Sequence, residues 1–571
     1  MRAALVSFVL ASACSRVATD PPPNLAPASE SIQWDRGGIE TKAHAEMSPP
    51  GPVLLAQRAS VPQGFARDGA AGLPRDARLD APGAGRRAGM DPTTEAYDHV
   101  VDNAFLRVGE APLSTFSIDV DTASYANVRR ILREGRLPPT GAVRIEEMVN
   151  AFRYAYPEPA PGKAFSVTTE VVRCPWQERH LLLRVGLRGK TFPERLRPPC
   201  TLVFLLDVSG SMDEPAKLPL VQRAMQRLVA GLRPQDRVAI VTYAGTSGLV
   251  LPATSGSEAA RIQAAIAELR PGGSTNGAMG IQLAYRIARE HFQNEGVNRV
   301  ILATDGDFNV GVTSQSELAQ LIEEERRSGV FLTVLGVGAG NLKDSTMEKL
   351  AHHGNGNYAY LDSDREAERV LVEEVGGTLH TIAKDVKLQI EFNPRHVQAY
   401  RLIGYENRVL AAQDFTDDRK DAGDLGAGHT VTALYELVPA GVASPVPAPA
   451  ALRYRDPGAE TPAAAGGELL TLALRAKQPD GATSSEEVHV CRAPAATLAA
   501  EGDTAFAAAV AAFGMELRRS PHKGSTSLAL VRDLVRRAGA LDPAGYRAEF
   551  LELVDRAAAL AEPVASAGAG R

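Results

Sequence analysis

Residues 201–211 read TLVFLLDVSGS. Leu202, Val203, Phe204, Leu205 and Leu206 form an unbroken apolar run, the pattern of a strand buried on both faces. The run stops at Asp207, and two hydroxyls, Ser209 and Ser211, follow around Gly210. A carboxylate at the end of such a strand lies at the C-terminal edge of an open α/β sheet, where ligands bind. Gly210 makes the turn permissive, so Asp207, Ser209 and Ser211 can aim their oxygens at one point. Hard oxygens converging there suit a small divalent cation: magnesium, with manganese or calcium as alternatives.

Working outward, residues 199–378 alternate strand and helix. Leu218, Val221, Met225, Leu228 and Leu232 form the apolar stripe of a first helix. Strands are predicted at 238–243, 300–304, 330–336 and 357–361, with an antiparallel partner at 248–251. Further helices are predicted at 259–269, 278–292, 317–327 and 345–352. This is a doubly wound, mostly parallel sheet with helices on both faces, Rossmann-like in class. No phosphate-binding glycine loop follows the first strand, which argues against a nucleotide site. Two more oxygen donors arrive in this pattern. Thr275 sits in the loop Gly272-Gly273-Ser274-Thr275 between two helices, and Asp305 ends the strand 300–304.

The set Asp207, Ser209, Ser211, Thr275 and Asp305 resembles the metal-ion-dependent adhesion site (MIDAS) of the von Willebrand factor type A (VWA) family. The resemblance implies direct coordination by Ser209, Ser211 and often Thr275, with Asp207 and Asp305 acting mostly through water. It also implies an open coordination position that a partner protein's Asp or Glu fills. The runs 305–312 (DGDFNVGV), 347–351 (MEKLA), 354–358 (GNGNY) and 116–130 (FSIDVDTASYANVRR) are similar to the YfbK-like group of bacterial VWA proteins. That resemblance covers roughly residues 95–560.

The chain divides into five expected parts. Residues 1–14 read MRAALVSFVLASAC, an export-signal pattern of Arg, apolar run and small residues. Its end, Leu10-Ala11-Ser12-Ala13-Cys14, resembles the bacterial lipobox, with Ala11 where Leu is usual. The resemblance implies lipidation of Cys14 and a membrane anchor in the bacterial cell envelope; plain secretion or an upstream start codon are the alternatives. Residues 15–92 are rich in Pro, Ala, Gly and Ser and are expected to be a disordered tether. Residues 93–198 are expected to be a small separate α+β domain, with strands near Phe116, 165–172 and 180–187. The sheet domain takes 199–378. Residues 379–571 are expected to be β-rich, with strands at 386–392, 397–405, 430–437 and 469–475, and then helical, at 503–517, 525–537 and 544–560.

Asp119-Val120-Asp121 invites a rival reading, since it resembles the nucleophile motif of haloacid dehalogenase phosphatases. Ala123 stands where that motif has Thr. The plainer reading makes Asp121 or Thr122 a helix N-cap and Asp119 a solvent-facing strand residue.

A formal net charge of −6 over 571 residues offers no basic footprint for nucleic acid. The four cysteines, Cys14, Cys174, Cys200 and Cys491, have no C-x-x-C pair for structural zinc. Cys174 and Cys200 are the pair that an oxidising compartment would join, against three free thiols. The leading expectation is a cell-envelope protein-binding module, not an enzyme, that captures a partner's carboxylate through the metal. The alternatives are a phosphatase-like or metal-dependent hydrolase, or a scaffold with a structural metal.

Overall fold

A computed structural model of the chain describes residues 94–193, 196–243, 248–272, 277–306, 315–373, 380–447, 461–479, 481–494, 498–539, 542 and 544–561. Cys14, the expected tether 15–92 and Thr275 lie outside the described residues. The first segment supplies β1 (Leu106–Arg107), β2 (Leu113–Ser117), α1 (Ala123–Arg133), α2 (Ile145–Asn150), β3 (Phe165–Arg173) and β4 (Leu181–Gly189). The central segment runs β5 (Cys200–Asp207), α3 (Leu218–Ala230), β6 (Arg237–Tyr243), β7 (Gly248–Ser255), α4 (Ala259–Glu268) and α5 (Gly277–Glu290). It continues with β8 (Val297–Thr304), α6 (Gln315–Arg326), β9 (Phe331–Val337), α7 (Asp344–His353), β10 (Tyr358–Leu361) and α8 (Asp364–Glu368). The last segment holds β11 (Thr381–Phe392), β12 (Val397–Ile403), β13 (Val409–Leu410), β14 (Gly423–Gly426), β15 (Thr430–Pro439), β16 (Glu468–Lys477) and β17 (Ser484–Arg492). Helices α9 (Gly502–Arg518), α10 (Leu528–Arg537) and α11 (Tyr546–Ala561) follow.

The central sheet has the order β10-β9-β8-β5-β6-β7. All its pairings are parallel except β7 against β6. This is the expected doubly wound class, and the apolar run of β5 explains it. Every residue of β5 is buried. Leu202, Phe204 and Leu206 enter one core with Leu218, Val221, Met225 and Leu228 of α3. Val203 and Leu205 enter the opposite core with Ile281, Ala284 and Tyr285 of α5. A central parallel strand needs apolar residues at both parities because helices cover both of its faces.

The flanks are built differently from the expectation. Residues 93–198 and 379–571 were set apart above as two domains, but their strands share sheets. One sheet runs β1-β12-β15-β4-β3 and another β13-β2-β11-β16-β17. Phe116 lies opposite Leu388 in the β2–β11 ladder, and Val185 opposite Ala433 in the β4–β15 ladder. The two sheets close over one core that joins Phe116, Leu183, Val185 and Leu187 to Leu388, Ile390, Tyr435 and Leu472. A second shared core packs Val128, Met148 and Phe152 against Phe506, Val510, Phe513 and Phe550, with the Phe152 and Phe506 rings edge to face at 4.8 Å. The sheet domain is therefore inserted into a sandwich made by the segments on either side of it. Alternation along one strand reports a buried face but not the partner strand, so the separation drawn from sequence could not see this.

Buried ion pairs tie the parts together. Arg129 of α1 donates Nε to Asp362 Oδ2 at 2.7 Å, Nη2 to Glu366 Oε2 at 2.8 Å and Nη1 to Glu549 Oε2 at 3.1 Å. One guanidinium thus joins the first segment, the end of the sheet domain and α11. Near the start of α2, Glu146 is buried and its Oε2 has no hydrogen-bond partner. Burial, and then the neighbouring charge of Glu406, push its carboxyl up to about 8. No helix among the described residues is long and apolar enough to cross a membrane.

Two outcomes follow from these contacts. Arg129→Met leaves three carboxylates around a lost cation and lowers unfolding stability by about 3–5 kcal/mol, read from urea denaturation. Glu146 stays protonated in the fold while it ionises in the unfolded chain above its ordinary value of 4.5, so its contribution is lost as pH rises toward 8. Glu146→Gln removes that dependence, and the difference between urea midpoints at pH 5.5 and 8.5, expected to be positive in the parent, shrinks.

Candidate metal centre

Strand register sets this site. Asp207 ends β5 level with Tyr243 of β6, and Leu206 lies opposite Ala303 of β8, so Thr304 and Asp305 follow at the same edge. Strands on both sides of β5 leave their helices in opposite directions, which opens the crevice where such sheets bind ligands. The Gly272 amide donates to the Val208 carbonyl at 2.6 Å, which ties the start of the Thr275 loop to the same edge.

Asp207 is fully buried. Its Oδ1 accepts from the Ser209 amide at 2.9 Å, and its Oδ2 from the Tyr243 hydroxyl at 3.2 Å and the Thr304 hydroxyl at 3.3 Å. Among the described residues no cationic side chain bonds to it. Burial pushes its carboxyl above the ordinary range, and the charge of Asp305 adds to this against the hydrogen bonds from Ser209 and Tyr243. Asp305 is also buried but sits in the opposite surroundings. Burial alone would raise it, yet hydrogen bonds from Asn341 and Ser211 and the charge of Lys217 hold it below the ordinary value. Its Oδ2 accepts from Asn341 Nδ2 and from Lys217 Nζ, each at 3.1 Å. Gly306 follows with a φ of 98°, and a side chain there would meet the Lys343 amide at 2.6 Å, so only glycine lets the chain turn away directly after the carboxylate.

The residues fit a small hard cation. Ser209 Oγ and Ser211 Oγ are 3.0 Å apart, close to the edge of about 2.9 Å expected of an octahedron with magnesium–oxygen distances near 2.1 Å. A buried carboxylate that has no cationic partner among the described residues, Asp207, stands behind them. Four of the five expected ligands, Asp207, Ser209, Ser211 and Asp305, are brought together; the fifth, Thr275, lies outside the described residues. Sequence reasoning missed Lys217, Tyr243, Thr304 and Asn341, which surround the two carboxylates. Tyr243 and Thr304 carried a weak signal, since each is a polar residue ending an apolar strand; Lys217 and Asn341 carried none.

Asp119 and Asp121 are only 2% and 3% exposed, which corrects the solvent-facing reading of Asp119. Neither caps a helix. Thr122 is the N-cap residue of α1 and makes no side-chain capping bond, while Asp121 Oδ1 accepts from the Tyr358 amide at 2.7 Å. Arg408 Nη2 lies 3.3 Å from Asp119 Oδ1 and 3.1 Å from Asp121 Oδ2. Asp119, Asp121 and Glu147 bring carboxylate oxygens within 4.8 Å of one another. Cations already stand there: Arg408 on the aspartates and Arg144, which bonds both Glu147 and Asp344. The adjoining cavity of about 30 Å³, lined by Asp119, Asp121, Arg299, Arg408 and Asp424 among others, has room for about two waters and none for a phosphate ester. Cys174, Cys200 and Cys491 are free thiols. Cys174 belongs to the helical core and Cys200 to the sheet-domain core, so the pairing considered above is not formed.

Comparison with known proteins returns three family models: "von Willebrand factor" over residues 91–184, "von Willebrand factor type A domain" over 201–374, and "Uncharacterized protein YfbK, C-terminal" over 377–560. A protein of Escherichia coli K12 described as uncharacterized protein YfbK is 43% identical over 475 residues, covering 82% of each chain. The Arabidopsis thaliana E3 ubiquitin-protein ligase WAV3 is 25% identical over 283 residues, 47% of this chain and 36% of that one. Among solved structures, a von Willebrand factor type A protein from Catenulispora acidiphila aligns with a TM-score of 0.39 at 15% identity, covering 69% of this chain and 97% of that one.

The strained charge of Asp207 gives the expected outcome here. An acid whose carboxyl is raised by burial weakens the fold above its unfolded-state value, where it must ionise. Asp207→Asn keeps the shape and removes that charge, so in EDTA at neutral pH its thermal midpoint rises by roughly 1–3 °C; a fall would mean that the charge is already compensated.

Proposed function

Because the chain belongs to the family of YfbK-like bacterial VWA proteins, we propose that it is a cell-envelope interaction module that takes a carboxylate of a partner protein at a divalent-metal site. A VWA domain supports a protein-interaction role, and such domains commonly hold a divalent metal. The finer reading rests on one observation: the buried Asp207 carboxylate, with no cationic partner among the described residues, behind two hydroxyls 3.0 Å apart at the sheet edge. Asp207, Ser209, Ser211, Thr275 and Asp305 would hold the ion, with magnesium favoured by the hard oxygen set over manganese or calcium. When bound, the ion supplies a Lewis-acidic position for an anionic oxygen.

The chain's own residues account for the rest. Tyr243 and Thr304 orient Asp207, and Asn341 and Lys217 orient Asp305, so the ligand oxygens stand ready before any partner arrives. Hydrolysis needs a positioned base beside the site, and none stands among the described residues that surround Asp207 and Asp305. A phosphatase built on Asp119 and Asp121 is disfavoured by their burial and by Arg408. Export through residues 1–14, a lipid on Cys14 and a tether over 15–92 would let the ordered part reach a partner from a membrane.

The test is capture of envelope proteins on immobilised protein, with magnesium and with EDTA, for wild type and Asp207→Ala. The expected result is a carboxylate-dependent partner retained only by wild type in magnesium. Equal retention in all four conditions would move the binding surface away from the metal centre.

A further inference from the structure

We propose that Lys217 is a built-in cation of the metal centre, which weakens binding of the metal alone and strengthens capture of a carboxylate once the metal is bound. The inference rests on reading Asp207, Ser209, Ser211 and Asp305 as a divalent-metal site. Lys217 precedes α3 and is only 3% exposed. Its ammonium is held at 3.1 Å from Asp305 Oδ2, 3.0 Å from the Ser211 carbonyl and 3.2 Å from Glu214 Oε1. A lysine this buried is rare unless paired, and the fold makes room for it. Gly338, with a φ of 77°, follows β9, and a Cβ on it would lie 2.3 Å from Lys217 Cε. The stem therefore runs through space that any other residue at 338 would fill.

The charges decide what this lysine does. Asp207 and Asp305 are buried carboxylates and Lys217 is a buried ammonium, so among the described residues the interior of the site carries one net negative charge. The Glu214 side chain is 60% exposed and is screened by solvent. With a divalent ion the interior sum becomes +1, and one partner carboxylate brings it to zero. Without Lys217 the same steps run from −2 to 0 to −1. Lys217 thus opposes binding of the metal alone and favours an anion once the metal is in.

The experiment is calorimetric titration of the full chain, first with magnesium chloride alone and then of the magnesium-loaded protein with acetate as carboxylate probe. In Lys217→Met the magnesium Kd is expected to fall, and the acetate Kd to rise, by about tenfold each, from the loss of one nearby charge. Lys217→Gln is one atom shorter but keeps an uncharged N–H donor to face the Ser211 carbonyl, and gives the same result if the methionine variant fails to fold by circular dichroism. Unchanged or weaker magnesium binding in a folded variant overturns the inference and makes Lys217 a mere prop. Absence of magnesium binding by wild type overturns the metal reading itself, so the two failures are distinguishable.

Discussion

Two antiparallel ladders, β2 with β11 and β4 with β15, hold the rest of the structure in place. Each joins a strand before the doubly wound domain to a strand after it. The backbone hydrogen bonds of these ladders cannot form unless the inserted domain leaves the sandwich and returns to it beside its own starting point. The sheet domain supplies that closure. Arg129, bonded to Asp362, Glu366 and Glu549, locks the return with one buried charge shared by three carboxylates. Burying such a network is weak evidence for net stability but strong evidence for one arrangement, because half of it is far worse than either all or none.

The Asp119-Val120-Asp121 run belongs to the same closure. Its carboxylates face Arg408 of the last segment and the Tyr358 amide of β10, so the dipeptide spacing that resembles a phosphatase nucleophile instead sets a junction among three parts of the chain. Two aspartates separated by one residue are chemically identical in the two settings. What separates them is access: a nucleophile needs a cavity that admits substrate, and a junction needs a guanidinium.

At the metal centre the division of labour is electrostatic. Asp305 has its charge answered by Lys217 and Asn341, whereas among the described residues Asp207 has hydroxyl and amide donors only. The site is thus half neutralised. The difference between the two carboxylates is produced by one lysine threaded past Gly338.

The sequence alone determined the doubly wound class and placed the carboxylates and hydroxyls of the candidate site at one sheet edge. The apolar run 202–206 at both parities, the carboxylate that ends it and the hydroxyls two and four residues later are local facts, and local facts dictate a central strand and its edge. The helices of the last segment were legible for the same reason, since Phe506, Val510 and Phe513 keep one face. Tertiary structure decided what locality cannot carry: that β2 and β4 belong to the sandwich of the last segment, that Asp119 points inward at Arg408, and that Lys217 reaches Asp305. Each of these joins residues far apart in the chain, and nothing in a strand's alternation or a lysine's flanks names its partner. The partner is chosen by which buried charges and backbone donors must be answered once the cores have closed.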